Sequence, residues 1–188
     1  MTWPGATDLA VLLAPGAGGG RDHPTLVAME EAVAPVPVER LELPGRPPAA
    51  VKAVVAAARE LCARTGLAPE QVVLGGRSFG GRMCSMAVAD GLPALGLVLV
   101  SYPLHPPGRP AQLRDEHFPL LTLPCLFVSG RSDAFATVEE LESATAAVPG
   151  PVTHVWLDGS HGLRGRDAEV AASFRKWVEA VVAGGPRG

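Results

Sequence analysis

Ser78 stands in the string Gly75-Gly76-Arg77-Ser78-Phe79-Gly80-Gly81, directly after the apolar run Gln71-Val72-Val73-Leu74 and before a small-residue stretch with helical spacing. A serine at a sharp strand-to-helix turn has its hydroxyl pushed out of the sheet by a strained backbone, which requires neighbours without side chains two positions before and after. Gly76 and Gly80 meet that need. A serine hydroxyl attacks a carbonyl well only when a base takes its proton and a third group fixes the tautomer of that base. Two later loops offer them: Ser129-Gly130-Arg131-Ser132-Asp133, and Leu157-Asp158-Gly159-Ser160-His161-Gly162, each beginning where an apolar run ends. The order Ser78, Asp133, His161 is the one this kind of turn uses. His161 is then the general base and acid, and Asp133 accepts its Nδ1 proton. Charge developing on a carbonyl oxygen would be met by an oxyanion hole of two backbone N–H groups, that of Phe79 after the nucleophile and that of Ala17 in the run Ala14-Pro15-Gly16-Ala17-Gly18-Gly19-Gly20.

Each residue also admits a plainer role. Ser78 would suit a helix cap at a tight crossing, and Asp133 would suit a cap before the helical stretch 137–148, leaving Asp158 as the rival partner of His161. Asp158 would have to reach the ring from the histidine's own loop, so Asp133 is preferred. His154 lies within a strand as a packed or edge residue, while His23, His105 and His117 fall in polar loops as surface or pocket-wall groups. A metal reading of Arg114-Asp115-Glu116-His117 fails because consecutive loop residues rarely converge on one ion, and no H-E-x-x-H is present. A dinucleotide reading of Gly16-Ala17-Gly18 with Glu42 fails as well. Arg21 occupies the place of the third glycine, Asp22-His23-Pro24 delays the helix, and there is no P-loop lysine. No cofactor and no metal are expected.

The elements that must hold these residues alternate between strand and helix. Strands are predicted at 9–14, 36–43, 71–75, 97–101, 124–129 and 152–157, and helices at 25–34, 49–65, 79–90, 137–148 and 167–182. Runs such as Leu97-Val98-Leu99-Val100 are apolar at every position, which suits strands covered on both faces of a parallel sheet. The expectation is an α/β fold, doubly wound, with a mainly parallel six-stranded sheet and helices on both faces, in a single domain over 1–188. Its crevice lies beyond the carboxyl ends of the strands where strand order reverses, between the first and third. The long Pro-rich connection Tyr102 to Pro124 is expected to form a wall or partial lid there. Arg77, Arg109 and Arg114 would meet an acidic substrate if they faced the crevice.

Composition agrees with one self-sufficient core. The chain has 188 residues, 47% of them hydrophobic, and a mean hydropathy of +0.22; a chain of this size buries about 70% of the surface its unfolded form exposes. A net charge of −3 and a pI near 5.9, with arginines scattered rather than striped, argue against nucleic acid. No apolar run spans a bilayer, and the start Met1-Thr2-Trp3-Pro4-Gly5 lacks the regions of a signal peptide, so a cytoplasmic protein without membrane attachment is expected. Cys62, Cys84 and Cys125 are odd in number, unpaired in spacing and set in apolar segments, and are read as buried thiols. Oligomeric state is not written in the sequence.

The stretches Leu13-Ala14-Pro15-Gly16-Ala17-Gly18, Gly75 to Arg82 and Tyr102-Pro103-Leu104-His105-Pro106-Pro107-Gly108 carry a resemblance over nearly the whole chain. They resemble the α/β-hydrolase superfamily in a short form, without the first two strands and without a cap domain. They are more closely similar to the small hydrolase-like domain of testis-expressed protein 30 and of a subunit of the NSL chromatin complex, with bacterial relatives of dienelactone-hydrolase type. The resemblance implies Ser78, Asp133 and His161 as a triad. It implies a serine hydrolase of small carboxylic esters or thioesters acting through an acyl-enzyme. Two departures stand out: Pro15-Gly16 replaces the His-Gly of lipases and esterases, and Ser78 stands where dienelactone hydrolases use cysteine. Few aromatic residues and no cap suit an open site and short acyl chains. The alternative class is a non-catalytic binding or assembly module that keeps the turn as architecture.

Overall fold

Successive residues of a strand point to opposite faces, so strands apolar throughout need a helical layer on each side. The structure, a computed structural model, describes residues 8–184; the stretch Met1 to Gly5 read above for a targeting signal lies outside them. Six strands, β1 (Ala10–Ala14), β2 (Val38–Arg40), β3 (Val72–Arg77), β4 (Gly96–Val100), β5 (Cys125–Gly130) and β6 (Val152–Leu157), form one sheet in the order β2-β1-β3-β4-β5-β6. Every pairing is parallel. The helices are α1 (Pro24–Val33), α2 (Pro47–Thr65), α3 (Phe79–Ala89), α4 (Val138–Thr145) and α5 (Asp167–Gly184).

Alternation sorts the strand residues into two cores. Leu12, Leu74, Leu97 and Leu99 pack against Val54 and Leu61 of α2, Met83 of α3 and Leu141 of α4. Val11, Leu13, Val73, Val98 and Val100 pack on the other face against Leu26 and Met29 of α1 and Val170 and Phe174 of α5. All of these are buried, and each aliphatic or aromatic side chain so removed from water contributes about 1.5–3 kcal/mol. The expected doubly wound fold is therefore present, here with every strand parallel.

Strand order reverses between β1 and β3, which sets the glycine-rich loop after Ala14 beside the turn after Arg77. That loop is held from outside. Glu42 Oε1 accepts from the Arg21 N–H at 3.0 Å, and Arg40 reaches the Arg21 carbonyl at 2.6 Å while pairing with Asp22 and Glu30. Glu42 thus braces the loop.

The second strand is shorter than predicted. Prolines at 35 and 37 cannot donate to a ladder, and β2 is an edge strand, so only Val38–Arg40 pairs, flanked by the Val11 N–H to Pro37 carbonyl bond and the Leu41 N–H to Leu13 carbonyl bond. The Tyr102 to Pro124 connection is irregular apart from a 3-10 turn at Phe118–Leu120. It is nevertheless anchored: Tyr102, Leu104, Phe118 and Leu121 are buried, the Tyr102 hydroxyl donates to the Arg114 carbonyl at 2.6 Å, and the Tyr102 and Phe118 rings lie 5.2 Å apart. Cys84 and Cys125 are buried, Cys62 is half-buried, and none is paired. Burial pushes the Cys84 and Cys125 thiols up to about 12, which disfavours their thiolate forms. Among the described residues no helix is long and apolar enough to cross a membrane.

Candidate active site

The turn at Ser78 is made by sterics. Ser78 has φ 49° and ψ −118°, a conformation that L-residues avoid, and its N–H donates to the Val100 carbonyl at 2.7 Å. Gly76 has φ 143°, and a Cβ there would collide with the Ala14 backbone; one at Gly80 would collide with the carbonyls of Ala14 and Pro15. Both glycines are thus required by the close approach of β1 to β3 and α3. Ser78 makes no side-chain cap of α3, so its hydroxyl is left for another partner.

That partner is His161. Ser78 Oγ lies 2.8 Å from His161 Nε2, and His161 Nδ1 lies 2.8 and 3.0 Å from the two carboxylate oxygens of Asp133. With the ring proton on Nδ1 donated to Asp133, Nε2 is left to accept from the serine hydroxyl. The Asp133 side chain is 1% exposed and that of His161 19%, so the carboxylate is shielded while the ring reaches the crevice. A buried carboxylate must be hydrogen-bonded; Asp133 Oδ1 also accepts from the Phe135 N–H at 2.8 Å.

The loops carrying Asp133 and His161 are laced together by backbone. Arg131 N–H donates to the Leu157 carbonyl and Ser132 N–H to the Gly159 carbonyl. A Cβ at Gly130 would strike the carbonyls of Gly159 and Ser160, so only glycine lets the loops close this tightly. Helix α4 is capped by Thr137, in a reciprocal box with Glu140, which leaves Asp133 free of that duty. Asp158 is exposed, 4.0 Å from Arg131, and takes no part.

Gly16, Ala17, Ser78, Phe79, Phe135 and His161, with Arg77, Arg82, Pro103 and Arg114, line a cleft of about 470 Å³ at the strand carboxyl ends. Ala17 sits in a turn closed by the Gly19 N–H to Gly16 carbonyl bond at 3.0 Å. Phe79 opens α3, where first-turn N–H groups have no intrahelical acceptor. The Tyr102 to Pro124 connection contributes Pro103 and Arg114 as a wall. Of the three arginines considered from sequence, Arg77 and Arg114 face the cleft, and Arg109 is exposed outside it.

The remaining histidines have partners away from Ser78. His105 is buried rather than solvated, 3.1 Å from Glu140, and His117 is half-buried with Nε2 2.8 Å from Ser85 Oγ. Their loop folds back onto α3 and α4, which local polarity does not reveal. His23 accepts from the Thr25 N–H at the start of α1, and His154 sits on the edge strand, 3.0 Å from Thr145 Oγ1.

Two neighbours of His161 were not singled out from sequence as its supports. Phe135 stacks on the imidazole with centroids 4.0 Å apart, and Arg77 Nη2 donates to the His161 carbonyl at 2.9 Å. Burial lowers the pKa of the Arg77 guanidinium, while Asp133 and Asp167 act to raise it. The signal for Phe135 was a loop aspartate followed two residues later by an aromatic, since aspartate bonds the backbone two positions on. Nothing local marks Arg77 as a tether.

Residues 7–183 match the family described as alpha/beta hydrolase domain, and the chain belongs to it. Its fold is similar to that of Est1E from Butyrivibrio proteoclasticus with ferulic acid bound, at TM-score 0.78 and 15% identity over 94% of this chain and 91% of that one. It is similar also to an alpha-beta serine hydrolase homologue from Coxiella burnetii (TM-score 0.67, 18% identity, 90% and 85% covered). The esterase domain of a Rhodothermus marinus protein aligns at TM-score 0.71 and 15% identity, with 92% and 90% covered.

Proposed function

We propose that this chain is a serine hydrolase of small carboxylic esters or thioesters, built as a single cap-less domain and working through an acyl-enzyme on Ser78. The observation that carries the reading is the unbroken line Ser78 Oγ, His161 Nε2, His161 Nδ1, Asp133, with 2.8 Å links, at the reversal of strand order. Membership in the hydrolase family and a fold shared with esterases support it.

As Ser78 Oγ bonds to the carbonyl carbon, its proton passes to His161 Nε2, and Asp133 stabilises the imidazolium by holding Nδ1–H. The carbonyl π electrons move to oxygen, where the N–H groups of Phe79 and Ala17 receive the charge. Collapse expels the alcohol or thiol, which takes the proton from Nε2. Water then repeats the sequence on the acyl-serine, with His161 taking its proton, and releases the acid. The wide, uncapped cleft suits short acyl groups.

Labelling by a fluorophosphonate probe tests this. The native protein is expected to label and Ser78→Ala to lose all labelling while keeping its circular dichroism spectrum; kcat should fall by about 10⁴ to 10⁶. A native protein that resists the probe, or a mutant that labels equally, rejects Ser78 as nucleophile.

A further inference from the structure

Among the described residues, those lining the cleft include Arg77, Arg82 and Arg114 and no acidic side chain, in a chain whose net charge is −3. The three differ in what occupies them. Arg77 is tethered to the His161 carbonyl and has Asp133 and Asp167 in its field. Arg82 lies one helical turn beyond Ser78, its N–H on the Ser78 carbonyl at 3.1 Å, and so shares the serine's side of α3. Its side-chain Nε, like that of Arg77, is buried with no acceptor among the described residues, but Arg82 lacks the carbonyl tether and the aspartates that Arg77 has. Arg114, contributed by the Tyr102 to Pro124 connection, gives one N–H to the Pro103 carbonyl at 3.3 Å. Neither has a carboxylate partner among the described residues. The nearest acidic groups on that loop, Asp115 and Glu116, act on His117 and Tyr102, and Asp115 faces a separate groove with Glu139 and Glu140.

Two guanidiniums without a counter-charge repel each other, and taking them partly out of water strengthens the effect. Burial lowers the pKa of the Arg114 guanidinium, and the neighbouring Arg82 charge lowers it further. A carboxylate between them would cancel the repulsion, and the planar fork of arginine matches carboxylate oxygens in pairs.

We propose that Arg82 and Arg114 form an anion clamp, and that the substrate is an ester whose acyl or alcohol part carries a carboxylate. This rests on the hydrolase reading of Ser78 for turnover, but the clamp itself also binds a free dicarboxylate. The discriminating measurement compares kcat/KM for the 4-nitrophenyl monoester of glutarate with that for 4-nitrophenyl pentanoate. In parallel, calorimetry follows glutarate binding to the Ser78→Ala protein. The monoester is expected to be favoured by about tenfold or more, with the preference shrinking as salt is raised. Arg82→Gln with Arg114→Gln should abolish both the preference and glutarate binding; Arg82→Lys with Arg114→Lys, which keeps charge and loses the fork, should retain part of each. Arg109→Gln is expected to change neither. If the glutamine pair does not fold, the lysine pair and the salt dependence carry the same test.

Equal turnover of the two esters, or glutarate binding that survives loss of both arginines, overturns the clamp and leaves the hydrolase reading standing. Glutarate bound through the pair with neither ester turned over supports the clamp and overturns the hydrolase reading. Neither turnover nor binding overturns both.

Discussion

The two halves of the candidate site are held by different means. Ser78 is fixed by backbone alone: β3 runs beside β1 and turns into α3 so closely that side chains are excluded at Gly76 and Gly80. His161 sits on a loop beyond the sheet that backbone bonds lace to the Asp133 loop, but its ring is steered by side chains, with Arg77 on its carbonyl, Phe135 on its ring face and Asp133 on Nδ1. Beneath it Leu163, 1% exposed and with φ 45°, plugs the loop into the core around α5. The proposed nucleophile, placed by excluded volume, has no freedom to lose. The proposed base, placed by separate contacts, can be loosened one contact at a time.

Mutation of each half should therefore fail differently. Gly76→Ala, which drives a methyl group into the Ala14 backbone, is expected to cost more than about 3 kcal/mol, read as a collapsed urea midpoint or insoluble protein. Near-native stability of that variant would mean that the turn is not set by contact. Arg77→Met keeps the stem and removes the tether; kcat/KM and the rate of fluorophosphonate labelling should fall about 10- to 100-fold while the melting temperature barely moves. Labelling at the native rate would show that the His161 loop holds itself. Phe135→Leu keeps an apolar cover and loses the stack, and about a three- to tenfold loss of kcat is expected, with unchanged KM. A larger effect on KM than on kcat would move Phe135 from supporting the base to contacting substrate.

The same contrast explains what could be read in the chain. The turn was legible because its geometry is written in contiguous residues: an apolar run, glycines at fixed offsets and a helix. Asp133 was separable from Asp158 because Asp158 shares the loop of His161, and the structure places Asp133 against Nδ1 with Asp158 out in solvent. The failures had two sources, proline chemistry within one strand and contacts between distant segments. Prolines 35 and 37, with the edge position, trimmed the strand predicted at 36–43. His105 and His117 looked solvated but lie under a loop pinned by Tyr102 and Phe118, and no local pattern announces that Arg82 would be left without a partner in the cleft.

The backbone angles of Ser78 imply that durability and reactivity oppose each other at this residue. Holding an L-residue there costs on the order of 1–3 kcal/mol, whereas glycine would take up the same geometry freely and lose about 0.5–1 kcal/mol through its looser unfolded chain. Ser78→Gly should consequently yield an inert protein that outlasts the native one on heating, by about 2–4 °C for each kcal/mol regained. Selection for thermal endurance alone would discard this serine.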